Sequence, residues 1–361
     1  MTRTRAVTIS RVAEAAGVSV ATVSRVMNGS ATVAPQLAER VREAAARLGY
    51  RPNASAQGLA RGRTGMIGVL LPDLANPYFH EVMKGLTAEA VADGYHTLVA
   101  ASDEVPEDEG SLAHELLRQT DGLVLCSSRM PRHDLSEVLD AGRPVVSVNR
   151  QVSGLALPAV TVDSHAGMLA VCGHLARQGH RQVTYLSGPP LSWSHRERRR
   201  ALSESSAFGI DPQTVDCGST MDDGYRATDA ALERRPTAII AFNDIVAFGA
   251  LARLRERGVA VPDEVSIAGF DDIAFAAYAS PALTTVRNPK EQLGRHAWRM
   301  LTRLFKGERG LEPQVLVPEL VVRDSTGPAP AAIATPRLQG PSARAAGRPS
   351  VRSPRGEATS S

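Results

Sequence analysis

The sequence predicts an α/β protein in two parts: a small N-terminal head of three helices in a helix-turn-helix arrangement, and a larger, two-lobed, doubly wound α/β body. Three observations predict it. Residues 1–63 carry ten arginines against three acids, a net +7, whereas 64–324 are net −8 and 325–361 net +4. The head places apolar residues at helical spacing between closely set capping signals. The body alternates short apolar runs with helical stretches, and the alternation occurs twice. With 361 residues, 43% hydrophobic and 22% charged, the chain is long enough for two or three globular domains. No stretch approaches about 18 consecutive apolar residues, so no membrane-spanning helix is expected. The opening Met1-Thr2-Arg3-Thr4-Arg5 leads into a mixed polar segment and not into the apolar core of an export signal. Cys126, Cys172 and Cys217 are far apart and form no Cys-x-x-Cys pair. A reducing cytoplasm is therefore expected, without a disulfide framework or a zinc site.

In the head, Thr8 is placed to cap a helix starting at Ile9, and Gly17 to close it in the left-handed conformation. Val12, Ala13 and Ala16 share one face. Ser19 offers the next cap, and a short helix from Val20 to Met27 stops at Asn28-Gly29. Val23 and Val26 face the first helix, which leaves Val20, Ala21, Ser24 and Arg25 outward. A third helix opens with Pro35, turns Leu37, Val41, Ala44, Ala45 and Leu48 inward, and ends at Gly49. An exposed short second helix that ends in arginine, on a basic head, suits the major groove of a DNA duplex, which admits one helix. A generic helical cap domain has the same spacing.

In the body, Ile67–Leu71, His96–Ala100, Gly122–Leu125 and Val145–Val148 read as buried parallel strands. The helical stretches 78–92 and 110–119 fit right-handed crossovers between them. A second series begins near Ala159, with strands at 183–186, 238–241 and 265–269. Two such units in tandem leave a cleft where strand ends and helix starts converge. Residues 325–361 hold six prolines, four glycines and one leucine. That is too little apolar surface to fold, and a disordered basic tail is expected.

These residues carry a resemblance. The runs Val7-Thr8-Ile9, Val12-Ala13-Glu14-Ala15-Ala16-Gly17-Val18-Ser19 and Ala21-Thr22-Val23-Ser24-Arg25-Val26-Met27-Asn28, continued by Leu48-Gly49-Tyr50-Arg51-Pro52-Asn53 and Ala56-Gln57-Gly58-Leu59-Ala60, resemble the DNA-binding headpiece of the LacI/GalR family of bacterial transcriptional repressors. The resemblance implies that Val20 and Ala21 choose operator bases and that Arg25 also contacts the operator. It implies phosphate anchoring by Thr8, Ser19, Thr22 and Ser24, and places Asn28 and Asn53 at the same interface. Val20 and Ala21 can meet a thymine methyl but cannot hydrogen-bond a base edge, so Arg25 is the candidate for a bidentate guanine contact. Residues 53–61 resemble the family's hinge helix, with Ala56 at the close-approach position and Leu59 as a minor-groove wedge. Ala34 departs from the serine usual there and removes a helix cap.

The resemblance continues along the body through Asn76-Pro77-Tyr78-Phe79, Gly188-Pro189, Asn243-Asp244, Gly269-Phe270-Asp271-Asp272 and Pro281-Ala282-Leu283-Thr284-Thr285-Val286. It implies a fold like the periplasmic binding proteins, and effector contacts at Phe79, Asn149, Arg198, Asn243 and Asp271, with Trp193 and Ser194 nearby. One Arg, one Asp and two Asn supply paired donors and acceptors for vicinal hydroxyls, and Phe79 and Trp193 supply flat apolar faces for a sugar ring. Read singly, Asp271-Asp272 fit a turn, Arg198 a solvated helix face and Phe79 the core. Asn149 stands where the family commonly has Asp, Ala201 where it usually has Gly, and the stretch from Arg198 to Asn243 is a few residues short.

The expected organisation is a headpiece over 1–52, a hinge helix and linker over 53–64, an effector-binding and dimerisation domain over 65–324, and the tail over 325–361. Lobe 1 takes about 65–161 and 288–318, and lobe 2 about 162–287 and 319–324. The expected function is a cytoplasmic, ligand-controlled repressor. Its partners are a palindromic double-stranded operator, a small carbohydrate effector and a second copy of the chain. Tetramers of the family this chain resembles carry a C-terminal leucine heptad; none is present, so the resemblance implies a dimer. A solute-binding protein shares the two lobes but not the basic head. An enzyme is disfavoured, because Gly-x-Ser-x-Gly, a phosphate loop, His-Glu-x-x-His and Cys/His pairs at metal spacing are all missing. No cofactor is expected.

Overall fold

The computed structural model of the protein describes residues 7–27, 32–50 and 63–330. The head holds α1 (Ile9–Ala16), α2 (Val20–Met27) and α3 (Pro35–Leu48). Gly17 is left-handed, with φ 67°, and its turn closes α1 with Val18 N donating to Ala13 O at 3.0 Å. Thr8 stands at the first N-cap with extended backbone, but its side chain makes no capping hydrogen bond. Ser19 does cap, accepting from Thr22 N at 3.1 Å. The core is four valines (12, 23, 26, 41) and five alanines (13, 16, 38, 44, 45). Ala38 takes the buried place on α3 expected for Leu37, which is only half-covered. Leu48 is half-buried at the cluster's edge. At roughly 1.5–3 kcal/mol per buried valine this is a small core. Arg40 on α3 adds a tie, donating from Nη2 to Ala16 O at 2.7 Å at the open end of α1.

The body opens with β1 (Met66–Leu71), α4 (Pro77–Ala92), β2 (His96–Ala101), α5 (Glu109–Gln119), β3 (Gly122–Cys126), α6 (Arg132–Asp140), β4 (Val145–Val148) and β5 (Ala159–Val162). It crosses to α7 (Ser164–Arg177), β6 (Gln182–Ser187), α8 (Trp193–Glu204), β7 (Asp211–Asp216), α9 (Met221–Glu233), β8 (Ala238–Ala241), α10 (Asp244–Glu256), β9 (Ser266–Ala268) and β10 (Thr285–Arg287). It returns for α11 (Lys290–Phe305) and β11 (Gln314–Leu316), then crosses again to β12 (Glu319–Val321). The first lobe is a six-stranded sheet in the order β11-β5-β4-β3-β1-β2, and the second a four-stranded sheet in the order β7-β6-β8-β9. Both are parallel, while β10 and β12 pair antiparallel beside them. The chain thus passes between the lobes three times, after β5, β10 and β11.

Burial follows the topology. β1, β3, β4 and β5 carry almost uninterrupted buried runs, as parallel strands covered on both faces require. β2, expected to be buried, is the edge strand and is half-exposed along its length. In each lobe one helix pair is in backbone contact. A Cβ added to Gly85 on α4 would lie 2.0 Å from Glu291 O on α11, and one on Gly294 would lie 2.0 Å from Val82 O. Gly224 and Gly249 do the same for α9 and α10.

The boundary at 325 is corrected. Ser325 is fully buried, its Oγ donates to Ile267 O at 2.7 Å, and its own O accepts from Ile267 N at 2.8 Å. Gly327 N donates to Ser266 Oγ at 3.0 Å, and Ala329 N to Gln178 O at 2.8 Å. Hydrogen bonds of the main chain and of two serine hydroxyls, not apolar side chains, hold this segment to β9. The packed body therefore extends through Ala329. No helix of the described residues is long and apolar enough to cross a membrane.

Candidate nucleic-acid interface and ligand cleft

The outward face of α2 presents Val20, 44% exposed, with Ala21 and Arg25 also exposed and Thr22 and Ser24 half-buried. Thr22 and Ser19 share a hydroxyl–hydroxyl bond of 2.9 Å at the start of that helix, and Thr8 is exposed beside α1. Ser19, Val20, Ala21 and Thr22 stand at the N-terminal end of α2, where the helix dipole favours a phosphate, while Ser24 and Arg25 lie in its last turns. Asn28, Asn53, Ala56, Leu59 and the expected hinge helix lie outside the described residues.

In the body, strand ends and helix starts converge on a cleft between the lobes. The N-caps of α4, α8 and α10 all line it. Asn76 accepts from Tyr78 N at 2.9 Å, Ser192 from His195 N at 3.3 Å and Asn243 from Val246 N at 2.8 Å. Of the expected effector residues, Phe79, Asn149, Ser194, Arg198, Asn243 and Asp271 line the same cavity, and Trp193, half-buried at the first position of α8, does not. Asn243 is largely occupied by its own fold, since its Nδ2 also donates to Ser219 O at 3.0 Å.

Two sets of groups define the chemistry. Asn149, held at φ 57° after β4, donates from Nδ2 to Tyr78 Oη at 2.6 Å and to Ser127 Oγ at 3.3 Å. Burial keeps the Tyr78 phenol far above its usual range, so it stays neutral. On the other side, Arg198 is 3% exposed and its guanidinium lies 3.6 Å from the centroid of Phe270 and 4.8 Å from that of Phe242. It donates from Nη1 to Phe242 O, forms no ion pair among the described residues, and leaves Nε buried without a partner. Asp271 accepts from Asn288 Nδ2 at 2.9 Å, and Asn288 Oδ1 is itself buried without a partner. Burial pushes the Asp271 carboxyl up to about 6, against the pull of Arg198 and Lys290. Asp244 beneath it, fully buried, is pushed well above the carboxylate range by the same desolvation and by Asp271. His195, stacked on Tyr185, is driven down to about 4 by burial and by Arg199, so its ring is neutral.

Sequence reasoning missed Glu104, Arg129, Ser219 and Asn288. The Glu104 carboxylate accepts from Arg129 Nη2 in its own lobe and from Ser219 Oγ in the other, the latter at 2.5 Å. No motif marks these four, which meet only through the tertiary fold. The cavity is about 60 Å³ in volume.

Comparison with known proteins places these parts. Residues 8–53 match the family described as bacterial regulatory proteins, lacI family, and residues 172–326 match a periplasmic binding protein-like domain. Catabolite control protein A of Priestia megaterium is 34% identical over 84% of this chain and 93% of its own length. The lac repressor dimer bound to operator and the anti-inducer ONPF superposes with a TM-score of 0.79 at 29% identity, over 90% of this chain and 100% of that one. The transcriptional regulator CelR in complex with cellobiose gives a TM-score of 0.65 at 30% identity, over 88% and 99% of the two chains.

Proposed function

The chain belongs to the LacI family of bacterial regulatory proteins, and from that premise we propose how its parts serve a DNA-binding transcriptional regulator. Two copies of the headpiece read a palindromic operator with half-sites about one helical turn apart, roughly 34–36 Å. On each, Arg25 reads a base edge, Val20 and Ala21 meet apolar base surface, and Thr8, Ser19, Thr22 and Ser24 anchor phosphates, with Asn28, Asn53, Ala56 and Leu59 extending the contact. The lac repressor, bound to its operator as a dimer, supports this arrangement. So does an apolar groove of about 510 Å³ lined by Met221, Phe248 and Phe275, with Met221 and Phe275 more than half exposed, as a surface for the second copy.

The effector is a small neutral polyol, a sugar or sugar derivative. One observation carries this reading: the cleft wall buries a donor, Arg198 Nε, and an acceptor, Asn288 Oδ1, that no protein group satisfies. A vicinal diol answers both, because each hydroxyl donates and accepts. Glu104 cancels Arg129, and the Arg198 charge pulls on Asp271, so the wall carries little net charge for an ionic ligand. The bound regulator CelR holds cellobiose in the same fold. The role is binding and not catalysis, and an operator on chromosomal DNA requires the cytoplasm. The test is a thermal-shift screen of neutral pentoses, hexoses and cellobiose against the matching uronic acids. A neutral sugar is expected to raise Tm and its acid to raise it less. Stabilisation by the acids alone would overturn the polyol reading.

A further inference from the structure

Asp271 faces the cleft from lobe 2, and its main chain is held from both lobes: its N donates to Val286 O on β10 at 2.8 Å, and its O takes a bond from lobe 1. Asp271 and Asp272 have φ of 119° and 52°, backbone that non-glycine residues keep only where the surroundings impose it. Arg287, the last residue of β10, and Arg323, just past β12, hold the Asp272 carboxylate at 2.7 and 2.6 Å. The third hold comes from α11. Lys290, its first residue, is 4% exposed and donates from Nζ to Asp271 O and to Asp272 O, both at 2.7 Å. The same ammonium lies 3.5 Å from Glu81 Oε2 on α4. A lysine is rarely buried so deeply, since desolvating an ammonium is costly unless it is fully partnered. Here the partners are two carbonyls of one lobe and a carboxylate of the other.

What stands behind Lys290 is stiff. The glycine contacts that bring α4 and α11 together backbone to backbone leave no side-chain layer between them to absorb a shift. Lobe 1 is also the lobe that the head enters by sequence. Thr64 N and Gly65 N, the first amides of that entry, both donate to Asp121, at 2.8 and 2.9 Å.

Resting on the reading of the cleft as an effector site, we propose that Lys290 is a positioning residue that couples Asp271 to the α4–α11 pair, so that occupancy of the cleft and occupancy of DNA sense one another through its ammonium. Linkage makes that coupling reciprocal in affinity, and a coupling carried by Lys290 puts the response to bound DNA in the Asp271 segment. The experiment uses the full chain and a duplex selected by the wild-type protein from random inverted repeats. Hydrogen exchange is measured over 266–274 with and without that duplex. In the wild type the duplex is expected to change exchange there by about fivefold or more, taking the exchange change to be of the order of the low end of typical affinity coupling. In Lys290→Met the change should fall below about twofold while the affinity for the duplex stays within about threefold, and Lys290→Arg should restore it. Should Lys290→Met not fold, Glu81→Gln cuts the same link from its half-exposed end and should at least halve the change. A full change in the folded Lys290→Met or, where it does not fold, in Glu81→Gln overturns the proposal, as does a wild type that binds the duplex with no change at 266–274. Failure to select any duplex is a separate result, and sinks the DNA-binding reading instead.

Discussion

Replacing Asp271 with asparagine should stabilise the body and silence its response to ligand at once. The carboxyl is 7% exposed and its value is raised from 3.8 to about 6, chiefly by desolvation. A folded value above the unfolded one means that the native state resists ionisation. The penalty is absent below about pH 3.8, grows as pH rises, and is complete above about pH 6. A rise of about two units corresponds to roughly 3 kcal/mol. The asparagine side chain would keep the acceptor for Asn288 and carry no charge, so Asp271→Asn should gain up to about 3 kcal/mol at pH 7.5 and nearly nothing at pH 4. Urea unfolding followed by tryptophan fluorescence reads the body directly, because Trp298 is buried in the lobe 1 core. A variant that is less stable than wild type at pH 7.5, or more stable by the same amount at both pH values, would refute the assignment of that carboxyl as a buried charge kept for function.

Three further outcomes test the other parts. Arg25→Ala should reduce the preference for a selected duplex by about 1–3 kcal/mol per lost base contact, while sugar-induced thermal shifts stay unchanged; mobility shifts on selected and scrambled duplexes check it. Arg198→Ala should remove the thermal shift by any sugar that stabilises the wild type, and a retained shift in a folded variant would move the site elsewhere. Gly294→Ala would place Cβ 2.0 Å from Val82 O, so α4 and α11 must separate, at about 2–3 kcal/mol or more in urea stability.

Much of the head was legible because its signals are local. Gly17 and Gly49 do close α1 and α3 in the left-handed region, and Pro35 opens α3. Thr8 shows the limit: a capping residue type at the right place still makes no side-chain bond. Leu37 was misplaced because the buried stripe of α3 runs through Ala38, Val41 and Ala45, one residue along, and alanines carry little signal. In the body, the apolar runs of β1, β3 and β4 announce strands, but apolarity does not say which strand is the edge, hence β2. β7 spans Asp211–Asp216 with only one buried residue and was invisible, since it exists by pairing with β6. The cleft was half legible. Asn149, Arg198 and Asp271 came from the family resemblance, whereas Glu104 meets Ser219 across 115 positions of sequence, a contact that no local pattern encodes. The packed segment 325–329 was missed for the same reason, its hold being main-chain bonds, two serine hydroxyls and the His174–Thr326 contact of 2.9 Å.

The most direct measurement is a titration of a duplex selected from random inverted repeats with the full-length protein at about 0.15 M salt, against a scrambled duplex, with and without a sugar that raises Tm. The selected duplex should bind at least about a thousandfold more tightly than the scrambled one. The sugar should change that affinity by about fivefold or more, and the duplex should change the sugar's affinity by the same factor. Equal affinity for the two duplexes, or a stabilising sugar that leaves DNA affinity untouched, would contradict a ligand-controlled operator-binding protein.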